Sequence, residues 1–109
     1  MKICLCGQGN SPQAPISQVF GRCLFFLIYD DQTKTYRIIE NTSKNEAHGA
    51  GTNAAQIIIN ENVDILITNA LGLNAKLVLD QCSIQVFKQN GETPQDALSL
   101  YQAGKLEKL

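Results

Sequence analysis

The segment GAGTNAAQIIINENVDILIT, residues 49–68, is the strongest indication of the fold, because its apolar pattern changes period part-way along. Apolar residues first recur at helical spacing, i, i+4, i+7 and i+8, at Ala50, Ala54, Ile57 and Ile58. Residues 63–68 then form a short apolar run that is typical of a buried strand. Because a strand reached through a helix lies parallel to the strand before it, this stretch predicts a right-handed crossover in an α/β sheet.

Further strands are predicted on both sides of this stretch. Apolar or alternating runs predict strands over residues 2–7, 23–29, 35–40 and 84–87. In the first of them, Ile3 and Leu5 share one face, and Cys4 and Cys6 share the other. The polar turn at residues 30–34 predicts a hairpin, so the first three strands form an antiparallel meander.

Two more helices are predicted after the crossover. One carries an apolar stripe at Ala75, Val78, Leu79 and Cys82. The other begins with Thr93 as N-cap, Pro94 at its first position and an acid in its first turn, and Gly104 closes it. The order β-β-β-α-β-α-β-α predicts a mixed five-stranded sheet flanked by three helices.

Length and charge narrow the class of protein. With 109 residues, we expect a single domain over residues 1–109. A net charge of −1 gives no electrostatic reason to expect nucleic acid or a membrane surface as a partner. The apolar run at residues 24–28 is far shorter than the roughly 20 residues that span a bilayer. No signal-peptide pattern precedes it, so we expect a cytoplasmic protein, and we expect a monomer.

Chain direction predicts that three loops share one edge of the sheet. Strand 1 runs parallel to strands 3 and 4, so the carboxyl ends of these strands lie at the same edge of the sheet. The loops that follow them, at residues 10–22, 41–51 and 68–74, should therefore meet there. Backbone amides at two helix starts and one arginine would offer positive charge to an anion there. The residues expected around this opening are Arg22, His48, Gly49, Gly51, Gly72 and Asn74.

Structural roles compete with this interpretation. Glycines at helix starts also allow a helix and a strand to pack closely, and His48 could be an exposed residue with no role. Cys4, Cys6 and Cys82 are expected to be packed as small apolar groups, and as thiols rather than disulfides. Cys23 follows Arg22 at the open edge, where a cation would lower a thiol pKa, although packing also explains it.

Catalytic signatures are absent from the sequence. No carboxylate set suits two-metal hydrolysis, because Asp30 and Glu40 lie at strand ends and Asp64 stands alone. No G-x-x-x-x-G-K-[ST] loop is present, and no C-x-x-C pair indicates structural zinc. We therefore expect a binding protein and not an enzyme.

Four segments, in order, resemble one protein family. They are Phe20-Gly21-Arg22 before a strand, His48-Gly49-Ala50-Gly51 at a helix start, the turn Gly72-Leu73-Asn74-Ala75, and Tyr101-Gln102-Ala103-Gly104-Lys105-Leu106 near the end. The chain, from Lys2 to Leu106, resembles the dinitrogenase iron–molybdenum cofactor biosynthesis family. That family includes cofactor carriers of nitrogenase assembly, and small stand-alone members such as the orange proteins, which hold a molybdenum–copper–sulfide cluster non-covalently.

The resemblance implies both a fold and a function. It implies a ribonuclease H-like fold with sheet order 3-2-1-4-5 and strand 2 antiparallel. It implies non-covalent binding of an iron–sulfur or molybdenum-containing cluster, or its precursor, and cluster-assembly proteins as partners. His48 could ligate iron or donate a hydrogen bond to sulfide, and a Cys23 thiolate could ligate a soft metal. The cofactor-binding set is then Arg22, Cys23, His48, Gly49, Gly51, Gly72 and Asn74.

Two other functions stay open at this point. The chain could be a regulatory or interaction domain that binds a partner protein or a small anionic metabolite and no metal. It could also be a hydrolase on the ribonuclease H-like scaffold, which the missing carboxylate cluster disfavours.

Overall fold

The computed structural model describes all 109 residues. Five strands form one sheet in the order β3-β2-β1-β4-β5. The strands are β1 (Lys2–Gly7), β2 (Phe25–Asp30), β3 (Thr35–Glu40), β4 (Ile65–Thr68) and β5 (Gln85–Lys88). The helices are α1 (Ala50–Asn60), α2 (Leu73–Gln81) and α3 (Pro94–Gln102), with a 3-10 helix at Phe20–Arg22.

The sheet is mixed, as the sequence predicts. β2 pairs antiparallel with both β1 and β3, whereas β4 pairs parallel with β1 and with β5. Both the strand order and the antiparallel second strand are confirmed. The narrower ribonuclease H-like assignment stays a prediction.

Two apolar layers cover the faces of the sheet. On one face, Cys4 and Cys6 of β1 pack with residues of α1 and α2. On the other face, Ile3 and Leu5 pack with Ala97 and Leu98 of α3. The alternation predicted for strand 1 is confirmed, and its central position explains why both faces of β1 are buried.

Several element boundaries differ from the sequence prediction. β2 begins at Phe25 and not at residue 23, because Cys23 and Leu24 follow the 3-10 helix before the pairing with β3 begins. β4 begins at Ile65 and not at residue 63. The 3-10 helix itself lies in a segment that the sequence predicts only as loop.

The expectation that Cys82 is a core residue is wrong. Helix α2 ends at Gln81, and Cys82 is its exposed C-cap. The buried stripe of α2 therefore stops at Leu79, which is fully buried. All four cysteines are free thiols, as expected.

None of the helices is long and apolar enough to cross a bilayer. The cytoplasmic location expected from the sequence stays a prediction.

Candidate functional site

A pocket of about 550 Å³ lies where the 3-10 helix meets the first turns of α1 and α2. We call it the amide pocket. Residues 19–22 form one wall, residues 49–52 the second, and residues 70 and 72–75 the third. These walls belong to the three loops that chain direction brings to one edge of the sheet. The prediction that these loops converge is confirmed.

The structure brings together five of the seven residues predicted as the cofactor-binding set. The five that line the amide pocket are Arg22, Gly49, Gly51, Gly72 and Asn74. His48 precedes the N-cap of α1 and is exposed, but it does not line the pocket. Whether any of these residues binds a ligand stays a prediction.

Cys23 lies beneath the pocket and not in it. Its side chain is fully buried, and its sulfur donates to the Phe20 carbonyl at 3.3 Å. The expectation that Cys23 lies on the open rim is therefore wrong, because the chain turns inward directly after Arg22. Packing, the other interpretation of this cysteine, agrees with its position in the core.

Both helices that start at the pocket begin without a side-chain cap. Gly49 is the N-cap of α1 and Gly72 is the N-cap of α2. At Gly49 the backbone is left-handed, with φ 76°, which glycine adopts without strain. By contrast, the N-cap of α3 is Thr93, whose side chain accepts a hydrogen bond from the Asp96 amide. The first-turn amides of α1 and α2 therefore have no side-chain acceptor of this kind.

Arg22 is the single charged residue that lines the amide pocket. Its Nη1 donates to the Lys44 carbonyl at 2.9 Å and to the Glu46 carbonyl at 2.7 Å. A guanidinium carries five N–H donors, so the donors on Nε and Nη2 stay free for another acceptor. Arg22 thus ties the loop after β3 to the 3-10 helix and keeps a positive charge at the pocket.

Close contact between two glycines sets the distance between two pocket walls. A Cβ added at Gly21 would lie 2.8 Å from the Gly51 nitrogen and 3.1 Å from the Ala50 carbonyl carbon. A Cβ essentially never lies 2.8 Å from a backbone atom, so any residue other than glycine at position 21 would force the 3-10 helix and the first turn of α1 apart.

A buried polar cluster supports the same walls, and the sequence prediction missed it. Asn41 and Ser43 belong to the polar loop between β3 and α1, yet their exposed fractions are 0% and 2%. The Asn41 Nδ2 donates to the carbonyls of Gly21 at 3.2 Å and Cys23 at 2.9 Å. The Ser43 hydroxyl lies 2.7 Å from Asn41 Oδ1 and 3.3 Å from the Ala50 carbonyl.

One local signal could have revealed this cluster. The Asn41 Oδ1 accepts a hydrogen bond from the Ser43 amide at 3.0 Å, which is the i to i+2 pattern of an Asx turn. The sequence Asn41-Thr42-Ser43 permits such a turn. The burial itself depends on the 3-10 helix and on α1, which are distant in sequence.

Buried thiols lie below this cluster. Burial raises the pKa of the Cys4 thiol, and contact with Cys23 together with burial raises the pKa of the Cys6 thiol. Both stay protonated near neutral pH and behave as core groups. No three side chains of histidine, cysteine, aspartate or glutamate are grouped to hold a metal ion.

A family model described as dinitrogenase iron-molybdenum cofactor matches residues 1–104 of this chain. The chain belongs to this family. This chain is also similar to an uncharacterised protein of Methanocaldococcus jannaschii, with 38% identity over 111 aligned residues. That alignment covers 99% of this chain and 91% of the relative.

Solved structures agree with this family assignment. The apo form of the orange protein from Desulfovibrio gigas superposes with a TM-score of 0.93 at 26% identity. A Thermotoga protein provisionally assigned as NifB superposes with a TM-score of 0.89 at 30% identity. Each comparison covers 99% of this chain and 92% of the other.

Proposed function

We propose that the amide pocket reversibly binds an anionic metal–sulfur cluster, or its precursor, as a cargo. One observation carries the proposal: two helix N-termini without side-chain caps open into one pocket whose single charged residue is Arg22. Each N-terminus carries about half a positive charge, so the pocket suits a guest of negative charge. Family membership and the likeness to the orange protein support a metal–sulfur cargo.

The chemistry of the lining fits a cargo that is held without covalent bonds. The lining offers backbone N–H groups, the Thr52 hydroxyl, the Asn74 amide and the free donors of Arg22. All of these can donate hydrogen bonds to sulfide or oxide on the surface of a cluster. Val19 and Leu73, which are 46% and 74% exposed, add apolar surface to the lining.

Individual residues then have distinct roles. The Arg22 charge attracts the cargo and orients it against the amides of α1 and α2. His48 is a candidate donor or ligand from just outside the pocket, because it is exposed beside Gly49. Cys23 is not part of the proposed site, because its sulfur is buried. The role is binding and release with no chemical transformation, and cluster-assembly proteins would supply and receive the cargo.

The test is an anaerobic titration with tetrathiomolybdate, a soluble molybdenum–sulfide dianion that absorbs visible light. We expect saturable binding that shifts its spectrum and weakens as ionic strength rises, because exposed charges are screened over about 10 Å. Arg22→Gln should weaken binding about fivefold, the size of one partly exposed charge interaction. Arg37→Gln is the matched control, since Arg37 is exposed, pairs with Glu61 and lies outside the pocket.

Three results would contradict this proposal. The first is the absence of saturable binding. The second is equal weakening by Arg22→Gln and Arg37→Gln, because that would show general attraction to positive charge. The third is binding that does not depend on salt, because the proposed attraction is electrostatic.

A metal-free regulatory domain that binds a small anionic metabolite is the second candidate. The pocket lining favours it as an alternative, because it contains no cysteine, histidine or carboxylate. Saturable binding of inorganic sulfate in the amide pocket, with no binding of tetrathiomolybdate, would support this candidate.

A further inference from the structure

A second cavity, of about 460 Å³, lies beside Asn69 at the start of the loop between β4 and α2. We call it the lysine cleft. It is lined by Asn69, by Lys88 at the end of β5, by residues 89–91 after that strand, and by residues 105–107 of the C-terminal tail. None of these residues lines the amide pocket. The volume falls within the roughly 300–1,000 Å³ of small-molecule sites.

Hydrogen bonds hold both walls of the lysine cleft in place. The Lys88 amide donates to the Glu107 carbonyl at 2.7 Å, and Lys108 forms an antiparallel bridge with Phe87. The Gln89 amide donates to the Thr68 carbonyl at 2.9 Å, which joins the cleft to the end of β4. The tail is therefore fixed against the edge strand β5, and the cavity is a built part of the fold.

One buried polar atom in the cleft lacks a partner. Gln89 lines the cavity and is 8% exposed, and its Oε1 accepts no hydrogen bond. A buried acceptor left unpaired is unfavourable, so such groups are rare in folded proteins. The terminal torsion of glutamine is broad, and rotation about it can turn the amide toward a donor in the cavity. A ligand hydroxyl would supply that donor.

Charge in the cleft favours an anion. Lys88 and Lys105 are both exposed, and neither takes part in an ion pair. Glu107 is the single acidic residue of the lining, so the three charged side chains leave an excess of one positive charge. Leu106 is the single apolar residue, which leaves no platform on which an aromatic base could stack.

We infer that the lysine cleft is a second ligand site, distinct from the amide pocket, for a small polyhydroxylated phosphate such as a sugar phosphate. The phosphate lies between the two lysines. The hydroxyls bond to Gln89 Oε1 and to the side-chain amides of Asn69 and Asn90. This site is independent of the cargo proposed for the amide pocket, because the two cavities share no lining residue.

The test is a titration of the full chain with ribose 5-phosphate, followed by the backbone amide signals in NMR spectra. We expect saturable shifts confined to Asn69, residues 88–91 and residues 105–107. Lys88→Gln and Lys105→Gln should each weaken binding about fivefold. Lys34→Gln is the matched control, because Lys34 is an exposed lysine in the turn between β2 and β3, outside the cleft.

A second variant separates hydroxyl recognition from charge. Gln89→Leu should reduce the affinity for ribose 5-phosphate while leaving the weaker binding of inorganic phosphate unchanged. Three outcomes would overturn the inference: no saturable shift at millimolar ligand, shifts centred on the amide pocket, or a Lys34→Gln effect as large as that of Lys88→Gln. The circular dichroism spectrum of each variant shows whether it is folded, and Lys105→Gln gives an independent test if Lys88→Gln is not.

Discussion

Gly21→Ala is the substitution that tests most directly how the amide pocket is built. The new Cβ would lie 2.8 Å from the Gly51 nitrogen, 3.0 Å from its Cα and 3.1 Å from the Ala50 carbonyl carbon. All three atoms belong to the backbone of the first turn of α1, so no side-chain rotation can relieve the contact. Overpacking of this kind destabilises a fold by about 1–3 kcal/mol. For a domain of this size, the melting temperature should fall by roughly 4–12 °C.

The assay is thermal and urea unfolding of Gly21→Ala beside Gly51→Ala. Position 51 lies on the other side of the same contact, but its added Cβ would meet only the Ala75 Cβ, at an ordinary 3.6 Å. Because alanine is the better helix former, Gly51→Ala should leave stability unchanged or raise it by up to about 1 kcal/mol. The reasoning is refuted if Gly21→Ala has the same melting temperature as the wild type. It is also refuted if Gly51→Ala loses as much stability as Gly21→Ala, because the close contact at position 21 would then not be the cause.

Three further predictions concern thiols, a tyrosine and the lysine cleft. A thiol reagent applied to the native protein should label Cys82 alone, since the other three cysteines are buried; a second adduct in the mass spectrum would contradict this. Burial raises the pKa of Tyr36 to about 12, so the unfolded chain ionises first and stability falls as pH rises from about 10 to 12. Phenolate absorbance should show that step, and Tyr36→Phe should reduce it; burial also raises the pKa of Tyr101, which gives the remainder. Gln89→Leu removes an unpaired buried acceptor, so the free energy of unfolding measured by urea denaturation should rise by about 1 kcal/mol. A loss of stability would mean that Gln89 Oε1 is hydrogen-bonded in solution.

The sheet could be predicted from the sequence because its signals are local. The helical stripe from Ala50 and the alternation in β1 each depend on neighbouring residues, and both are confirmed. The first and last residues of a strand could not be predicted in the same way, because they depend on where pairing with the neighbouring strand begins. The apolar run at residues 23–29 continues through Cys23 and Leu24, so hydrophobicity alone cannot show that pairing with β3 starts at Phe25. The apolar stripe of α2 likewise continues to Cys82 and predicts it as buried, because the pattern does not show that the helix ends one residue earlier.

The candidate site was predictable where it depends on chain direction. Parallel strands place their carboxyl ends together, and this brought Arg22, Gly49 and Gly72 to one pocket. Side-chain direction was not predictable, so Cys23 was expected at the rim although it points into the core. The burial of Asn41 was also missed, because its partners at residues 21 and 23 come from a segment about 20 residues earlier.

The hydrogen bonds of Asn41 have a consequence for how the amide pocket would bind its proposed cargo. They connect the 3-10 helix to the loop after β3, and the Ser43 hydroxyl contacts the start of α1. The walls of the amide pocket are therefore ordered before a ligand binds. Little conformational entropy is lost on association when the receiving groups are already ordered. The proposed cargo could then bind and leave without any refolding of the chain between cycles.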